Sequence, residues 1–471
     1  MSSRLAAPHT AHMKIRGLRW WIVVLVFLAA VLNYVDRQTL SALAPTIQAD
    51  LKMDDRAYAD IVNLFLVAYT IAYLISGKLV DRLGTRTGTA FFVIWWSLAN
   101  IVTAWAQGIR SMSTCRFFLG LGEAGIWPAA SKAVSEWFPA RERALAIGFY
   151  TMGATIGAML APKIVIPMAT FDFAGKMPWV NALFGHGTGW RMAFLITGLV
   201  GFFWLIPWLM VYRKPRQSKL ITAEELNHIE DEQNRKEEAN PQPWTWRQVL
   251  TFQPVWILLI GRLLTDPVWY FYQFWFAKYL NTERGIPQEG LTITWLIYAA
   301  AGVGSLAGGW LSGRLVKKYG DPAKARLWIM LGCACIMPVS PLITAATGMP
   351  LTMTFTICAV FASLAWLTNI SALIVDVVPS HSLGTVFSVI AAGSTLGSVV
   401  MNMTVASMIS GPATSPGGFL DQGFRAAFGW LLQMVEGKGY HPWFVAMAFL
   451  HPLALLILWL GGIHRPRPVT P

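Results

Sequence analysis

The chain has 471 residues, 55% of them hydrophobic and 13% charged, with a formal net charge of +13. Soluble domains carry about 25% charged residues, so this composition excludes an ordinary soluble fold and makes the bilayer the solvent. The basic excess is spread over alternate loops instead of forming one face, which excludes nucleic acid as a partner.

Stretches of about 20 mostly apolar residues, enough to cross a bilayer as a helix, recur along the chain. Twelve are predicted, near 20–41, 58–80, 88–107, 113–136, 142–168, 190–212, 254–280, 291–316, 325–345, 350–376, 383–410 and 441–461. The first ends in Asn33, Tyr34, Asp36 and Arg37, too polar for a signal-peptide core, and no small-residue cleavage site follows. Lys14, Arg16 and Arg19, Arg82 and Arg86, Arg141 and Arg143, Arg213 to Lys219, Lys317 to Arg326, and Arg465 and Arg467 mark the cytoplasmic loops. Both termini are therefore expected inside a cytoplasmic (inner) membrane. The longest polar segment, 213–250, separates a half at 1–212 from a half at 251–471 and reads as a cytoplasmic tether. Within it, Thr222 and Glu225 form the pattern of a capping box for a short surface helix from Thr222 to about Glu232. Pro241-Gln242-Pro243 then breaks the chain.

The halves repeat each other. Gly77-Lys78-Leu79-Val80 follows the second span and Gly313-Arg314-Leu315-Val316 the eighth, each closed by a glycine, Gly84 or Gly320. Long outer loops recur at 169–189 and 411–439. Related six-helix halves imply a site near the midplane between them. The four cysteines, Cys115, Cys333, Cys335 and Cys358, all lie in predicted spans. They suggest neither disulfides nor zinc, the eight histidines lack ligand spacing, and no metal or cofactor is expected.

An ionisable side chain at the centre of a span costs about 2.5–3.5 kcal/mol on insertion scales and defaults to a functional hypothesis. Six stand out: Asp36, Arg37, Arg116, Glu123, Arg262 and Asp266. Arg37 offers a planar fork for a substrate carboxylate; the alternatives are a permanent partner for Asp36 or an interfacial base. Glu123 lies among Gly120, Gly122, Ala124 and Gly125, which admit a close helix and leave its carboxyl desolvated and poised to load and release a proton. Asp36, held ionised by Arg37 until substrate competes, is the second proton candidate, so anion and proton binding would favour each other. Arg116, two turns from Glu123, reads as a coupling or a snorkelling arginine. Arg262 and Asp266, four apart, read as a structural pair. Trp269, Tyr270 and Gln273 in span seven are candidate ligand contacts, with lipid-facing bulk the alternative for either aromatic.

Gly77 to Arg86 resembles the signature loop of the major facilitator superfamily, Gly-x-Leu-x-Asp-Arg-x-Gly-x-Arg, with Gly77, Asp81, Arg82, Gly84 and Arg86 at the defining positions. The resemblance implies an all-α membrane protein of twelve helices in two six-helix halves. It also implies a cytoplasmic latch in which Asp81 meets a helix N-terminus and arginines of the other half. Asn33 to Arg37, Gly120 to Ala124, Glu136 to Pro139, Gly157 to Pro162, Asp266 to Phe271, and Trp366, Asn369, Asp376 and Pro379 are similar to the anion:cation symporters, in particular the hexuronate transporters. That likeness implies coupling carboxylates at Asp36 and Glu123, anion binding at Arg37, and site positions at Tyr69 and Asn369. Galactonate transporters carry a substrate-binding glutamine where this chain has Ala154, which argues against galactonate. Lys163 departs from the family pattern and reads as an extra anion contact or a rim charge.

The expectation is a monomeric proton-coupled symporter for a small organic anion, a hexuronate such as galacturonate or glucuronate. The rivals are transport of another anion, such as an aldarate or aromatic acid, and a non-transporting solute receptor. No nucleophile, base and oxyanion set points to an enzyme.

Overall fold

The computed structural model describes residues 14–53, 55–185, 188–233, 244–286, 293–410, 426, 429–430, 433–435 and 437–463. The Pro241-Gln242-Pro243 breaker, Arg465, Arg467 and most of the 411–439 loop lie outside them. Regular structure among the described residues is helical.

The first half contains α1 (Leu18–Ala42), α2 (Asp55–Leu83), α3 (Thr85–Thr103), α4 (Ile109–Glu123), α5 (Ile126–Trp137), α6 (Ala140–Thr170) and α7 (Thr188–Val211). After the connecting helix α8 (Ala223–Gln233), the second half contains α9 (Gln253–Phe274), α10 (Trp295–Tyr319), α11 (Pro322–Ile336), α12 (Met349–Val377), α13 (Leu383–Ser410) and α14 (His441–Leu460). With α4 and α5 as one interrupted span, these make twelve. Among the described residues, eight helices are long and apolar enough to cross a bilayer by length and composition alone. α4 and α5 are each too short on their own because the span is interrupted, and tryptophan, tyrosine, glycine and polar residues lower the mean hydropathy of α3, α9 and α10.

Glycine sets the helix contacts around α4. A Cβ on Gly120 would stand 2.6 Å from the Phe65 carbonyl of α2, and one on Gly122 2.8 Å from the Trp96 amide of α3. Bulkier residues would force these helices apart and open a gap around Glu123.

The in-register loop repeat has a structural cause. Gly84 and Gly320 both take positive φ, 77° and 73°, at the turns ending the two loops. Gly77 and Gly313 both sit where the halves touch: Cβ atoms there would fall 1.9 Å from the Gly384 carbonyl and 2.6 Å from the Arg141 carbonyl. Gly148 against Ser305 and Gly309 against Ala144 extend the α6–α10 contact.

Thr222 caps α8, accepting from the Glu225 amide at 3.3 Å. The Glu225 carboxylate does not complete a box with Thr222 but takes the Leu18 and Arg19 amides at 2.9 and 3.2 Å and the Arg19 guanidinium at 2.8 Å. The N-terminus of α1 offers free N–H groups and a positive dipole end, a better partner than the helix's own start. Arg19 also binds Glu142 at 2.9 Å, fastening the connecting helix to α1 and α6.

Candidate functional site

A cavity of about 800 Å³, counted with the solvent at its mouth, lies between the halves. Arg37, Tyr69, Trp269 and Tyr270 line it, as the sequence predicts. Arg37 projects from α1 onto an aromatic bed, its guanidinium 4.8 Å from the Tyr34 ring centre and 4.7 Å from that of Tyr69. Its Nε donates to Glu123 Oε2 at 2.9 Å, and its Nη2 stands 2.9 Å from the same oxygen. Glu123 is fully buried, so the arginine separates it from the cavity. The break in helix at Ala124–Gly125 ends α4 just after Glu123, and Gly125 packs against the Phe92 ring.

Asp36 is not the partner of Arg37. Adjacent residues on a helix diverge by about 100°, and Asp36 faces the interior of the first half. There it accepts from Asn100 Nδ2 at 2.8 Å, while Asn100 also donates to Thr197 at 2.8 Å. The carboxylate on Arg37 is therefore Glu123, and the expected Asp36–Arg37 pair is not formed.

Two further expected site residues lie off the cavity wall. Asn369 is fully buried and donates to the carbonyls of Gly308 and Ala365 at 3.2 and 2.9 Å, tying α12 to α10. Gln273 is half-buried and is not among the lining residues. Arg116 is buried over the Phe194 ring at 4.8 Å, packed within the first half. Lys163 is exposed and away from the cavity. Ala154 does line it.

The cavity holds groups that sequence reasoning passed over. Arg262 and Asp266 pair, with Nε and Nη2 both 2.7 Å from Asp266 Oδ2, but they do so on the cavity wall. Tyr34, Tyr73, Tyr150 and Tyr298 join Tyr69 and Tyr270, so six of the chain's 12 tyrosines line the cavity, against two of its 23 tryptophans. Tyrosine, an aromatic body with a hydroxyl that needs a partner, was the signal that separates cavity aromatics from lipid-facing ones.

The signature loop forms a closed latch. Asp81 accepts from the Gly384 and Thr385 amides at 3.0 and 2.6 Å, at the N-terminus of α13 in the other half. The helix terminus is as expected, but the base on Asp81 is Lys132 of its own half at 2.7 Å. The cross-half arginine contact is instead Arg143 to Asp376 at 3.1 Å, with Arg326 3.2 Å from the same carboxylate. Arg82 is exposed, and Arg86 donates to the Leu209 carbonyl, fastening α3 to α7.

Residues 26–402 match the model of the Major Facilitator Superfamily. A galacturonate transporter of Dickeya chrysanthemi is 33% identical over 308 residues, 65% of this chain and 84% of that protein. The hexuronate transporter of Escherichia coli (strain K12) is 33% identical over 300 residues, 63% of this chain and 66% of that protein. In fold, the chain is similar to the proton:xylose symporter XylE bound to 6-bromo-6-deoxy-D-glucose, with a TM-score of 0.65 at 15% identity, covering 94% of this chain and 95% of the other. By the match over most of its length, the chain belongs to the Major Facilitator Superfamily and is a multi-pass membrane transporter, not an enzyme.

Proposed function

We propose that the chain is a proton-coupled symporter that imports a sugar acid, a hexuronate such as galacturonate or glucuronate, by alternating access. Residues 1–212 and 251–471 are its two moving halves, 213–250 is the cytoplasmic tether, and both termini face the cytoplasm. Similarity to galacturonate and hexuronate transporters supports the substrate class. One observation carries the chemistry: a cavity-lining guanidinium, Arg37, bound to a carboxylate, Glu123, that has no exposure of its own.

A substrate carboxylate on Arg37 stands beside the Glu123 carboxylate that already holds the same guanidinium, and the two negative charges compete for it. A proton on Glu123 removes the competing charge and frees Arg37, so anion and proton enter together. The aromatic wall, with Tyr69, Trp269 and Tyr270, then covers the sugar ring. Asp36 is the second proton site, held against Asn100 behind the first. Loss of the protons on the alkaline side restores the Arg37–Glu123 pair and expels the anion.

Proteoliposomes with an imposed pH gradient, alkaline inside, are expected to accumulate labelled galacturonate above its equilibrium level and to lose it when a protonophore is added. Accumulation that survives the protonophore and follows sodium would overturn the proton. Absence of any sugar-acid uptake would overturn the substrate.

The contacts between halves gather at the end bearing Asp81 and Arg143, which supports a form closed on the side of the basic loops. Gly77→Val adds atoms where the Gly384 carbonyl already blocks a Cβ. Overpacking of this kind costs about 1–3 kcal/mol, enough to shift the population toward forms open at that end by roughly five- to hundredfold. A Ser388→Cys reporter beside Gly77 is expected to label faster from the basic-loop side in the Gly77→Val background. An unchanged labelling rate would argue against a closing contact there.

A further inference from the structure

The cavity contains two arginines, one from each half, and each is held in the same way. Arg37 places Nε and Nη2 on one oxygen of Glu123, and Arg262 places Nε and Nη2 on one oxygen of Asp266. A monoacid needs only one guanidinium.

The second pair is poorly explained as structure. Arg262 and Asp266 stand on the same helix, so their bond links no two elements. Burying two charges is repaid poorly even when they pair, and an apolar pair of similar volume would usually hold the fold as well. Nη1 of Arg262 makes no hydrogen bond among the described residues, which leaves one edge of the guanidinium for a ligand. The hydroxyl residues Ser371 and Ser394 line the same cavity. Polar side chains lie between the two arginines on the cavity wall: Arg37 lies over Tyr69, the Tyr69 and Tyr73 hydroxyls are 3.3 Å apart, and Tyr73 lines the same cavity as Arg262.

We propose that Arg262 is a second carboxylate-binding residue, so that the cavity takes sugar diacids, one carboxylate on Arg37 in the first half and the other on Arg262 in the second. A six-carbon aldarate, which differs from a hexuronate in carrying a second terminal carboxylate, is the class this fits. The inference rests on the sugar-acid reading above and deepens it. A second carboxylate on Arg262 adds a charged contact from the second half to the aromatic contacts that already reach the ligand from that side.

The test is displacement of labelled galacturonate from the purified full chain by unlabelled galacturonate and by galactarate. Galactarate is expected to compete at least as well. Arg262→Gln leaves Asp266 without its partner, so the double variant Arg262→Gln/Asp266→Asn, which removes both charges, is measured beside it. In the double variant, galactarate is expected to weaken by about tenfold or more, while galacturonate stays within about threefold and so reports an intact fold. Arg262→Lys keeps the charge but loses the fork and is expected to fall between. Equal weakening of both acids, or galacturonate binding without galactarate competition in the unmodified chain, overturns the second anchor and leaves the sugar-acid reading standing. Failure of both acids to bind the unmodified chain overturns both readings.

Discussion

Arg37→Gln is expected to abolish measurable sugar-acid binding, weakening it by roughly two to three orders of magnitude, the equivalent of about 3–4 kcal/mol. Hydrogen bonds to a charged group contribute about 1.5–3 kcal/mol each, and a carboxylate on the fork of a guanidinium makes two. Glutamine offers one neutral amide at the same place. The stacking on Tyr34 and Tyr69 fixes the plane of the guanidinium, so Arg37→Lys, which keeps the charge but not the plane, should also lose most of the affinity. Arg37→Gln leaves the Glu123 carboxylate buried without its base, so Arg37→Gln/Glu123→Gln is the control for folding. Displacement measurements on both variants check the prediction. Retention of galacturonate affinity within a few-fold in the double variant would move the anion site away from Arg37.

The same residue shows how much of the site could be read before the fold was known. That Arg37 is costly in a span, and therefore a functional hypothesis, follows from hydropathy alone. That it pairs with Glu123, 86 positions away, and not with the adjacent Asp36, does not, because the pairing depends on how α1 and α4 face each other. The loop repeat was legible as a pattern, and the structure supplies its reason in two positive-φ turns and two close contacts between halves. Asn369 was misplaced because an amide in a span serves a neighbouring backbone as readily as a ligand, and only the fold shows the carbonyl of Gly308 waiting for it. For Arg262, four-residue spacing identified its partner correctly, but a spacing argument along one helix says nothing of what that helix faces, and the fold places the pair on the cavity wall.

Glu123→Gln is expected to uncouple transport without abolishing it. Glutamine has nearly the same shape and its carbonyl oxygen can still accept from Arg37 Nε, so the geometry around the guanidinium should survive. It cannot carry the negative charge that competes with substrate, nor load and release a proton across the cycle. Galacturonate binding to the unmodified chain should weaken as pH rises and ionised Glu123 reclaims Arg37; in the variant that dependence should flatten. Counterflow, in which labelled acid exchanges for unlabelled acid with no gradient, should continue at a rate within about an order of magnitude of the original, because neither direction then requires net proton release. Accumulation driven by a pH step should disappear. The two assays on the same proteoliposomes separate the possibilities: loss of both would mean Glu123 is needed for the fold or for binding, while survival of gradient-driven accumulation would shift the coupling to Asp36. Asp36 has no contact with Arg37 that substrate could displace, and its Asn100 and Thr197 network is a feature of the first half alone. In the proposed mechanism Glu123, which shares Arg37 with the galacturonate carboxylate, is the group whose charge changes as that anion comes and goes.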